Sequence, residues 1–497
     1  MSLQALVVGA GPVGLTMAAE LARYGVSVRI VDKAAQRSDK SKALAVWSRT
    51  LELLDRAGAG DALVAAGLRV EAANIVAGDR LIGHIGLAGV ESPHPYALML
   101  PQSETERLLE AHLERLGARV ERGTELVEFA DDGAGVTALL QEAGGAQERV
   151  AAKWLIGCDG AHSAVRHALG LPFAGDTLNS DWLLADVHLA GMPWPPTEMA
   201  LYWHEEGLLA TFPIAPGRYR VIADVGGPQG AHPRDPTLDE VQAIIARRGP
   251  GGLVASDPIW LSGFRINERK VADYRKGRVF VAGDAAHVHS PAGGQGMNTG
   301  MQDAVNLACK LALVCRGTCE GETLLDSYSA ERSAVGDQVL KAAGRLTAVA
   351  VLKNHTAQTL RNLLGGFLFG LAPLRRALAE TLTEISIGYP ESPLNGAFAH
   401  GLGGPAPGAR IAPAAGQPPL GAGGVPRFAL FAAPGAAAAR LLGAFPDLLE
   451  PKLRPPLAEG GLCLARPDGY AAASAWEADS AAIADCLDGL GRVGAGA

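Results

Sequence analysis

Apolar and polar positions follow three rhythms along the chain. At the start, Leu3 to Val8 is a short apolar run, followed by Gly9-Ala10-Gly11-Pro12-Val13-Gly14. Leu15, Ala18, Ala19, Leu21 and Ala22 then recur at helical spacing until Gly25, and Val26 to Val31 reads as a second strand ending at Asp32. That rhythm predicts strand, turn, helix and strand, a complete βαβ unit. The theme returns with Trp154 to Gly157 as strand, Cys158-Asp159-Gly160 as turn and Ser163 to Leu169 as helix. "RVFVAGDAAH" is another buried strand that ends at an acid. A second rhythm, period two, runs through residues 178–265 in "GLLATFPIA" and "RYRVIADV" and predicts a mainly antiparallel sheet, with residues 71–98 also strand-like. The third rhythm is helical. It marks Thr50 to Ala57, the segment after "LPQSETERLL" with Ser103 and Glu106 as a capping box, and residues 302–316. Residues 334–384 read as largely helical, and their apolar "LLGGFLFGLAPL" reads as a buried hairpin rather than a membrane contact. The Gly/Pro/Ala-rich residues 401–427 mark a boundary, after which a small α/β domain is expected.

Length adds that 497 residues exceed one ordinary domain, so two or three are expected. A net charge of -8 argues against a nucleic-acid groove. The six cysteines form no CxxC pair, which predicts free thiols in a reducing cytoplasm. No secretory signal and no apolar run long enough to span a bilayer are read.

The chemistry begins at the glycines. Gly9 permits a tight turn, Gly11 lets backbone approach a pyrophosphate, and Gly14 lets helix pack on strand. The helix N-terminus offers free N–H groups to phosphate, and Asp32 suits a ribose hydroxyl pair. Lys40, Lys42 and Arg49 stand near in sequence and read equally as phosphate partners or as a solvated loop. No second such fingerprint follows, so the main dinucleotide is expected to be held rather than exchanged. "GDAAHVHSPAGGQGMN" supplies the rest of its site: Asp284 for a sugar-alcohol chain, a bare backbone from Pro291 to Gly296 for a flat ring, and Met297 and Asn298 to open a helix toward a ring carbonyl. All these elements fit one ligand, FAD. His287 and His289 invite a metal reading, but a strand-to-loop setting favours packing, and no metal is expected.

On these motifs the chain resembles the FAD-dependent aromatic hydroxylases (group A flavoprotein monooxygenases with the p-hydroxybenzoate hydroxylase-like fold), in their polyketide, phenol and rifampicin monooxygenase branch. "CDGAHSAVR" resembles the Asp-Gly motif tied to FAD and NAD(P)H, "SRTLELLDRAG" and "LPQSETERLL" the segments that bring Arg49 and Gln102 near FAD, and "LLDSYSAER" and "LARPDGY" the branch itself. Three departures stand out. Lys42 replaces a common Arg, "AAASAW" departs from the usual ending, and the last domain lacks CxxC.

The resemblance implies an α/β fold: a Rossmann-like FAD-binding domain (1–70, 99–176, 269–340), an antiparallel-sheet substrate domain (71–98, 177–268, 341–395) and a C-terminal thioredoxin-like domain (396–497). It implies tightly but non-covalently bound FAD on Gly9, Gly11, Pro12, Val13, Gly14, Asp32, Lys33, Lys42, Arg49, Gln102, Val127, Asp159, Gly160, Gly283, Asp284, Pro291, Gly294, Gly296, Met297 and Asn298. NADPH or NADH would visit transiently, reduce FAD, and O2 would form a C4a-hydroperoxide that hydroxylates a phenolic or polycyclic ring. No catalytic side chain is assigned beyond the ring loop at Pro291, Gly293 and Gly294. Trp203, Phe212 and Pro213 are expected to line the pocket for an aromatic substrate. Ketone or alkene oxygenation, and a non-catalytic FAD protein that captures a ligand, stay open, as does a homodimer. Neither nucleic acid nor membrane is an expected partner.

Overall fold

A computed structural model describes residues 2–491 except 229, 231, 351 and 353; the end of the expected C-terminal domain, 492–497, lies outside the described residues. The opening βαβ unit forms as the pattern predicts. The strand Ala5–Val8 lies between Val28–Asp32 and Trp154–Gly157, parallel to both, with Val8 level with Val31 and Gly157. Val279–Val281 continues the sheet beside Trp154–Gly157, Val120–Arg122 closes the far side, and Arg275–Lys276 adds an antiparallel edge. Ala5–Val8, Trp154–Gly157 and Val279–Val281 are buried along their whole length, and Ile30 and Val31 of Val28–Asp32 are buried too, as a sheet covered on both faces requires.

The period-two segments build an eight-stranded sheet. Its order is His287–Val288, Val254–Lys270, Ala174–Ala190, Arg218–Gly226, Gly207–Ala215, Glu198–His204, Ala72–Ala77 and Arg80–Gly86. Only the pair of Ala72–Ala77 with Glu198–His204 is parallel. The two sheets share one loop. The chain leaves the parallel sheet at Val281, reaches Asp284, and joins the edge of the second sheet where His287 pairs with Lys270. The loop after it therefore sits between both sheets.

Four helices follow. Gly296–Cys315 begins six residues before the periodicity suggests, because its first turns carry Asn298, Thr299, Gln302 and Asp303 on buried positions that an apolar count misses. Gly321–Ala350, His355–Leu368 and Ala372–Leu382 account for the helical stretch 334–384. One expectation fails there. "LLGGFLFGLAPL" is not a buried hairpin: Leu363 is 72% and Phe367 69% exposed. From Leu363 to Leu371 every residue is apolar or glycine, so pattern alone could not tell the covered face from the open one. The capping box also fails. The helix Gln102–Arg115 starts two residues early, with Pro101 as its N-cap, and Ser103 Oγ instead meets Ser41 Oγ at 3.1 Å. A true box forms at Thr237 with Glu240.

The C-terminal region is a three-stranded antiparallel sheet of Ala429–Phe431, Gly461–Ala465 and Ala471–Trp476, with the helices Ala436–Ala444 and Ala481–Asp488. The turn at 466–470 points into the rest of the molecule, with Arg466, Asp468 and Tyr470 all buried. Among the described residues, no helix is long and apolar enough to cross a membrane.

Candidate active site

The glycines of the first turn do three separate jobs. At Gly9 φ is +100°, and a Cβ would lie 2.4 Å from the Cys158 carbonyl. At Gly14 a Cβ would lie 1.9 Å from the Gly9 carbonyl, so helix and strand touch there. At Gly11 a Cβ would meet nothing within 4 Å: that backbone faces open space. The helix Pro12–Arg23 starts with no side-chain cap, which leaves its first N–H groups pointing into the same space. Asp32 fixes the turn. Its Oδ2 accepts the Ala10 N–H at 2.7 Å and its Oδ1 the Ala34 N–H at 2.8 Å. Half-buried, it keeps lone pairs for a sugar as well. Lys33 beside it is exposed.

The Asp-Gly turn works in the same way. Asp159 accepts Ser163 Oγ at 2.5 Å and the Val165 N–H at 3.2 Å, so its carboxylate shapes the loop. Gly160, at φ +79°, has open space where a Cβ would stand. Arg166 then donates to the carbonyls of Ala285 at 3.1 Å and Ala161 at 2.8 Å, tying this turn to the loop that carries Asp284.

Asp284 differs from every other acid described so far. It is exposed, yet protein surrounds it, and burial pushes its carboxyl up while the charges of His287 and Lys42 pull it down. Among the described residues, none donates a hydrogen bond to it. Lys42, exposed, thus looks toward the same cleft, and its backbone is held from the other sheet. Arg220, buried and paired with Asp186 at 2.8 Å, donates to the carbonyls of Ser41 and Lys42 at 2.5 and 2.9 Å. Behind Asp284, Gly283 N–H donates to Asp303 Oδ2 at 3.0 Å. Asp303 also meets His287 Nε2 at 2.8 Å and Arg332 Nε at 2.6 Å, and these neighbours hold its carboxyl below the usual range despite burial. His287 is therefore a packing and hydrogen-bonding residue, stacked on Tyr274.

The ring loop is pinned from one side only. Trp47 Nε1 donates to the Gly293 carbonyl at 2.9 Å. Asn298 accepts the Trp47 N–H at 2.8 Å and donates to the carbonyls of Ala45 and Gly294 at 2.9 and 3.0 Å. Its side chain is thus fully engaged with protein, and only its backbone N–H, with those of Gly296 and Met297 in the first helical turn, is left for a ligand. Gln295 donates to the Thr381 carbonyl at 2.8 Å. Pro291 and Gly294 are exposed, and φ is +87° at Gly293 and +63° at Gly294. His289 adds an orphan. Burial pushes it down to about 4, its Nδ1 lies 2.9 Å from the Ser290 carbonyl, and its Nε2 is buried without a partner.

Three sequence candidates are held by other parts of the chain. Arg49 Nη1 pairs with Glu52 at 3.0 Å, its Nη2 donates to the Asp468 carbonyl at 2.7 Å, and its guanidinium lies over Tyr470. These contacts tie it to the C-terminal region, while its Nε is buried without a partner. Val127 is 49% exposed on the strand Thr124–Asp131 of a separate three-stranded sheet. Gln102 accepts the Ala43 N–H at 3.1 Å and donates to Glu106, which steadies the Lys42 segment from below.

Sequence reasoning missed two acids. Asp303 is one. Glu384 is the other: buried, at φ +60°, it accepts Thr299 Oγ1 at 2.8 Å and Gln302 Nε2 at 2.6 Å, and burial pushes its carboxyl up to about 8. An acid inside an apolar helix was the available signal for Asp303. Glu384 gave none, since both its partners are remote in sequence.

A cavity of about 710 Å³ opens between the strand Arg80–Gly86 and the helices His355–Leu368 and Ala372–Leu382. Ile82, Val90, Phe369 and Ala379 give it apolar walls, and His84, Arg375 and Arg376 line it too. Trp203 reaches it only through Phe369, whose ring centre is 6.4 Å away. Phe212 and Pro213 do not line it. Phe212 packs instead in the apolar cluster that holds Trp47 and Trp203. That cluster touches both the ring loop and the cavity: its Trp47 holds the Gly293 carbonyl, and its Ile82, Val90 and Ala379 line the cavity.

The open backbone at Gly11 and Gly160, the partnerless Asp284 carboxylate and the orphaned His289 nitrogen fit a long, polar, flat-ended cofactor such as FAD. Comparison with known proteins agrees. The model of the FAD binding domain family matches residues 2–343. A 6-methylpretetramide 4-monooxygenase of Streptomyces rimosus is 42% identical over 417 residues, 82% of this chain and 74% of its own length. A rifampicin monooxygenase of Streptomyces venezuelae is 34% identical over 77% of this chain and 79% of its own. The solved anhydrotetracycline hydroxylase of Streptomyces rimosus superposes with a TM-score of 0.79 at 30% identity, covering 98% of this chain and 99% of that one.

Proposed function

The chain belongs to the FAD-dependent aromatic hydroxylase family, and from that premise we propose that it hydroxylates a phenolic or polycyclic aromatic substrate taken up through the cavity beside Phe369. The enzyme is a flavin monooxygenase with FAD as cofactor and NAD(P)H as reductant. When bound, FAD supplies two-electron reduction by NAD(P)H and the transfer of one oxygen atom from O2 to the ring.

The residues described would divide the work as follows. Gly11 and the start of Pro12–Arg23 would receive the pyrophosphate, Asp32 a ribose, and Asp284 the sugar-alcohol chain. Free N–H groups at 296–298 would stabilise negative charge on the flavin ring. Asn298, Trp47 and Gln295 hold the loop so that this geometry is fixed before a ligand arrives. The apolar cluster of Trp47, Trp203 and Phe212 keeps water from the space between ring loop and substrate.

The observation that carries the substrate reading is continuity. Ala379 lines the cavity, and two residues on, the Thr381 carbonyl accepts Gln295 of the ring loop. A cavity of about 710 Å³ with apolar walls suits several fused rings, and Arg375 and Arg376 favour an acidic hydroxyl on them. Among the finer assignments, NADPH is favoured over NADH by Lys42 in the cleft. The domain limits 1–70, 99–176 and 269–340; 71–98, 177–268 and 341–395; and 396–497 are adopted, with a thioredoxin-like last domain and a cytoplasmic location. The test is a panel of phenols and polycyclic phenols, scored by stimulated NAD(P)H oxidation and by a product 16 mass units heavier (~16, one oxygen atom). Phe369→Ala should change which members of the panel respond. Stimulation by none, or the same ranking in the variant, overturns the reading.

A further inference from the structure

One short segment gathers contacts from the elements around the ring loop. The helix Ala372–Leu382 is capped by Thr383, and Glu384 follows at φ +60°, a left-handed conformation that a residue with a side chain adopts at a cost. The Thr381 carbonyl accepts Gln295 of the ring loop at 2.8 Å, and the Thr383 carbonyl accepts the Arg49 N–H at 3.2 Å. Glu384 itself is 1% exposed. Its carboxyl meets Thr299 Oγ1 at 2.8 Å and Gln302 Nε2 at 2.6 Å, both in the first two turns of the helix Gly296–Cys315. These partners are neutral. The nearest cation, Arg332, is given to the Thr299 carbonyl at 2.9 Å and to Asp303 at 2.6 Å.

We propose that Glu384 is a positioning residue for the flavin, an acid held against the start of this helix that sets how readily a ring seated at its free N–H groups takes up electrons. The proposal rests on the ring meeting the N–H groups at 296–298. A hydride from NAD(P)H brings two electrons and one proton, so the ring gains one negative charge and NAD(P)H leaves as NAD(P)+. The helix start favours that charge. A neutral Glu384 leaves the attraction unopposed. An ionised one sets a second negative charge against the same helix start, where little water screens it. Burial, with the charge of Asp303, pushes the Glu384 carboxyl up to about 8 against the pull of Arg332. Reduction then tightens the acid's hold on its proton, and above about 8 each ring reduced draws one further proton to Glu384. The other groups facing this segment hold their charge states. Asp303 stays ionised, Arg332 and Arg49 stay charged, Tyr389 on Arg332 stays neutral, and burial keeps His289 neutral with a value of about 4. His287 lies one contact further off, on Asp303. Glu384→Gln leaves all of them in place and fixes the neutral form at the same size.

Dye-equilibrated reduction of the full-length flavoprotein between about pH 6 and 9 tests this. Wild type and Glu384→Gln should be reduced at the same potential up to about pH 7. At about pH 9 the ratio of reduced to oxidised flavin, read at one set potential, should be about fivefold lower in the wild type. A merely structural role would displace the variant by one amount at every pH. Should the variant lose its flavin, infrared difference spectra of the wild type at about pH 9 take its place, and a protonated-carboxyl band should appear on reduction. Gly294→Val, at φ +63° on the ring loop, tests the premise by itself: it should weaken FAD binding whatever Glu384 does. Unchanged FAD binding in that variant would move the ring elsewhere and overturn the proposal together with its premise. Weakened binding there, but with curves for wild type and Glu384→Gln that coincide or run parallel at every pH, or with no carboxyl band, would overturn the proposal alone.

Discussion

Two polar regions flank the first helix of the FAD-binding fold, and they are built on opposite principles. In the cofactor cleft, Asp284 has no donor among the described residues, and Gly11 and Gly160 face open space. In the joint with the C-terminal region, acids and bases are paired densely. Glu331 accepts Lys310 at 2.7 Å, Arg466 at 2.6 and 2.9 Å and Ser392 at 2.5 Å. Asp468 accepts Arg466 and Asn306, Arg56 reaches Glu20 and the Pro467 carbonyl, and Arg410 pairs with Glu52. Buried polar groups need partners. Where the chain itself supplies them, the group is structural; where it leaves them open in a cleft, a ligand completes them. The contrast assigns roles that residue type alone does not.

The largest effect should come from the joint. Glu331→Gln keeps the size but leaves Lys310 buried without its acid and Arg466 with Asp468 alone, which costs about 3–5 kcal/mol. Urea denaturation should show the midpoint fall steeply. An unchanged midpoint would mean that the joint carries no stability, and the comparison would lose one of its halves.

Asp284→Asn should do the reverse. FAD affinity should weaken by about 1.5–3 kcal/mol, roughly 10- to 150-fold in Kd, because a charged acceptor is lost. The apoprotein should be as stable as before, since no protein donor is orphaned and the folded state already strains against that charge. Fluorescence titration of apoprotein with FAD reads the first, urea denaturation the second. Equal FAD affinity in variant and wild type would remove Asp284 from the site.

Glu384 tests how far the cleft's rigidity depends on a proton. Its folded value, about 8, lies above the ordinary 4.5. Below about 4.5 the acid is protonated folded and unfolded, and stability from this group is full. Between 4.5 and 8 only the folded state keeps the proton, so stability falls as pH rises, by on the order of 1 kcal/mol per pH unit; above 8 the loss stops. Glu384→Gln should flatten that slope between pH 6 and 8. A variant whose stability tracks the wild type at each pH would show that the acid is ionised in the fold.

These roles were unevenly legible in the sequence. The glycine turn, the Asp-Gly turn and the bare loop before Gly296 could be read because each acts within a few residues of chain. Glu384 and Glu331 could not, since their partners lie 21 to 135 residues away, and Asp303 showed only as an acid in an apolar helix, with partners 16 to 29 residues off. The helix His355–Leu368 misled the reading because an apolar helix does not announce which face is covered. Arg49 shows another limit. It stands seven residues from Lys42, has the same charge, and near a phosphate-binding turn both read alike.

The smallest effect is therefore the sharpest test, because it separates those two cations. Arg49 lies in the joint: it donates to the Asp468 carbonyl, pairs with Glu52 and lies over Tyr470. Arg49→Lys loses the fork and the stacking, so the midpoint should fall while the rate of flavin reduction by NADPH at fixed concentration is kept. Lys42 is exposed at the rim of the cleft, its carbonyl held by Arg220, so Lys42→Met leaves the fold intact. An exposed cation facing a phosphate contributes about 0.2–1 kcal/mol, which is at most about fivefold in affinity and fades with salt. Stopped-flow reduction at low ionic strength and subsaturating nucleotide should show Lys42→Met slowed about two- to fivefold with NADPH and little with NADH. Equal slowing with both nucleotides would assign Lys42 to the shared pyrophosphate. No slowing with either, together with slowing in Arg49→Lys, would invert the assignment and break the contrast between cleft and joint at the position where sequence could not decide it.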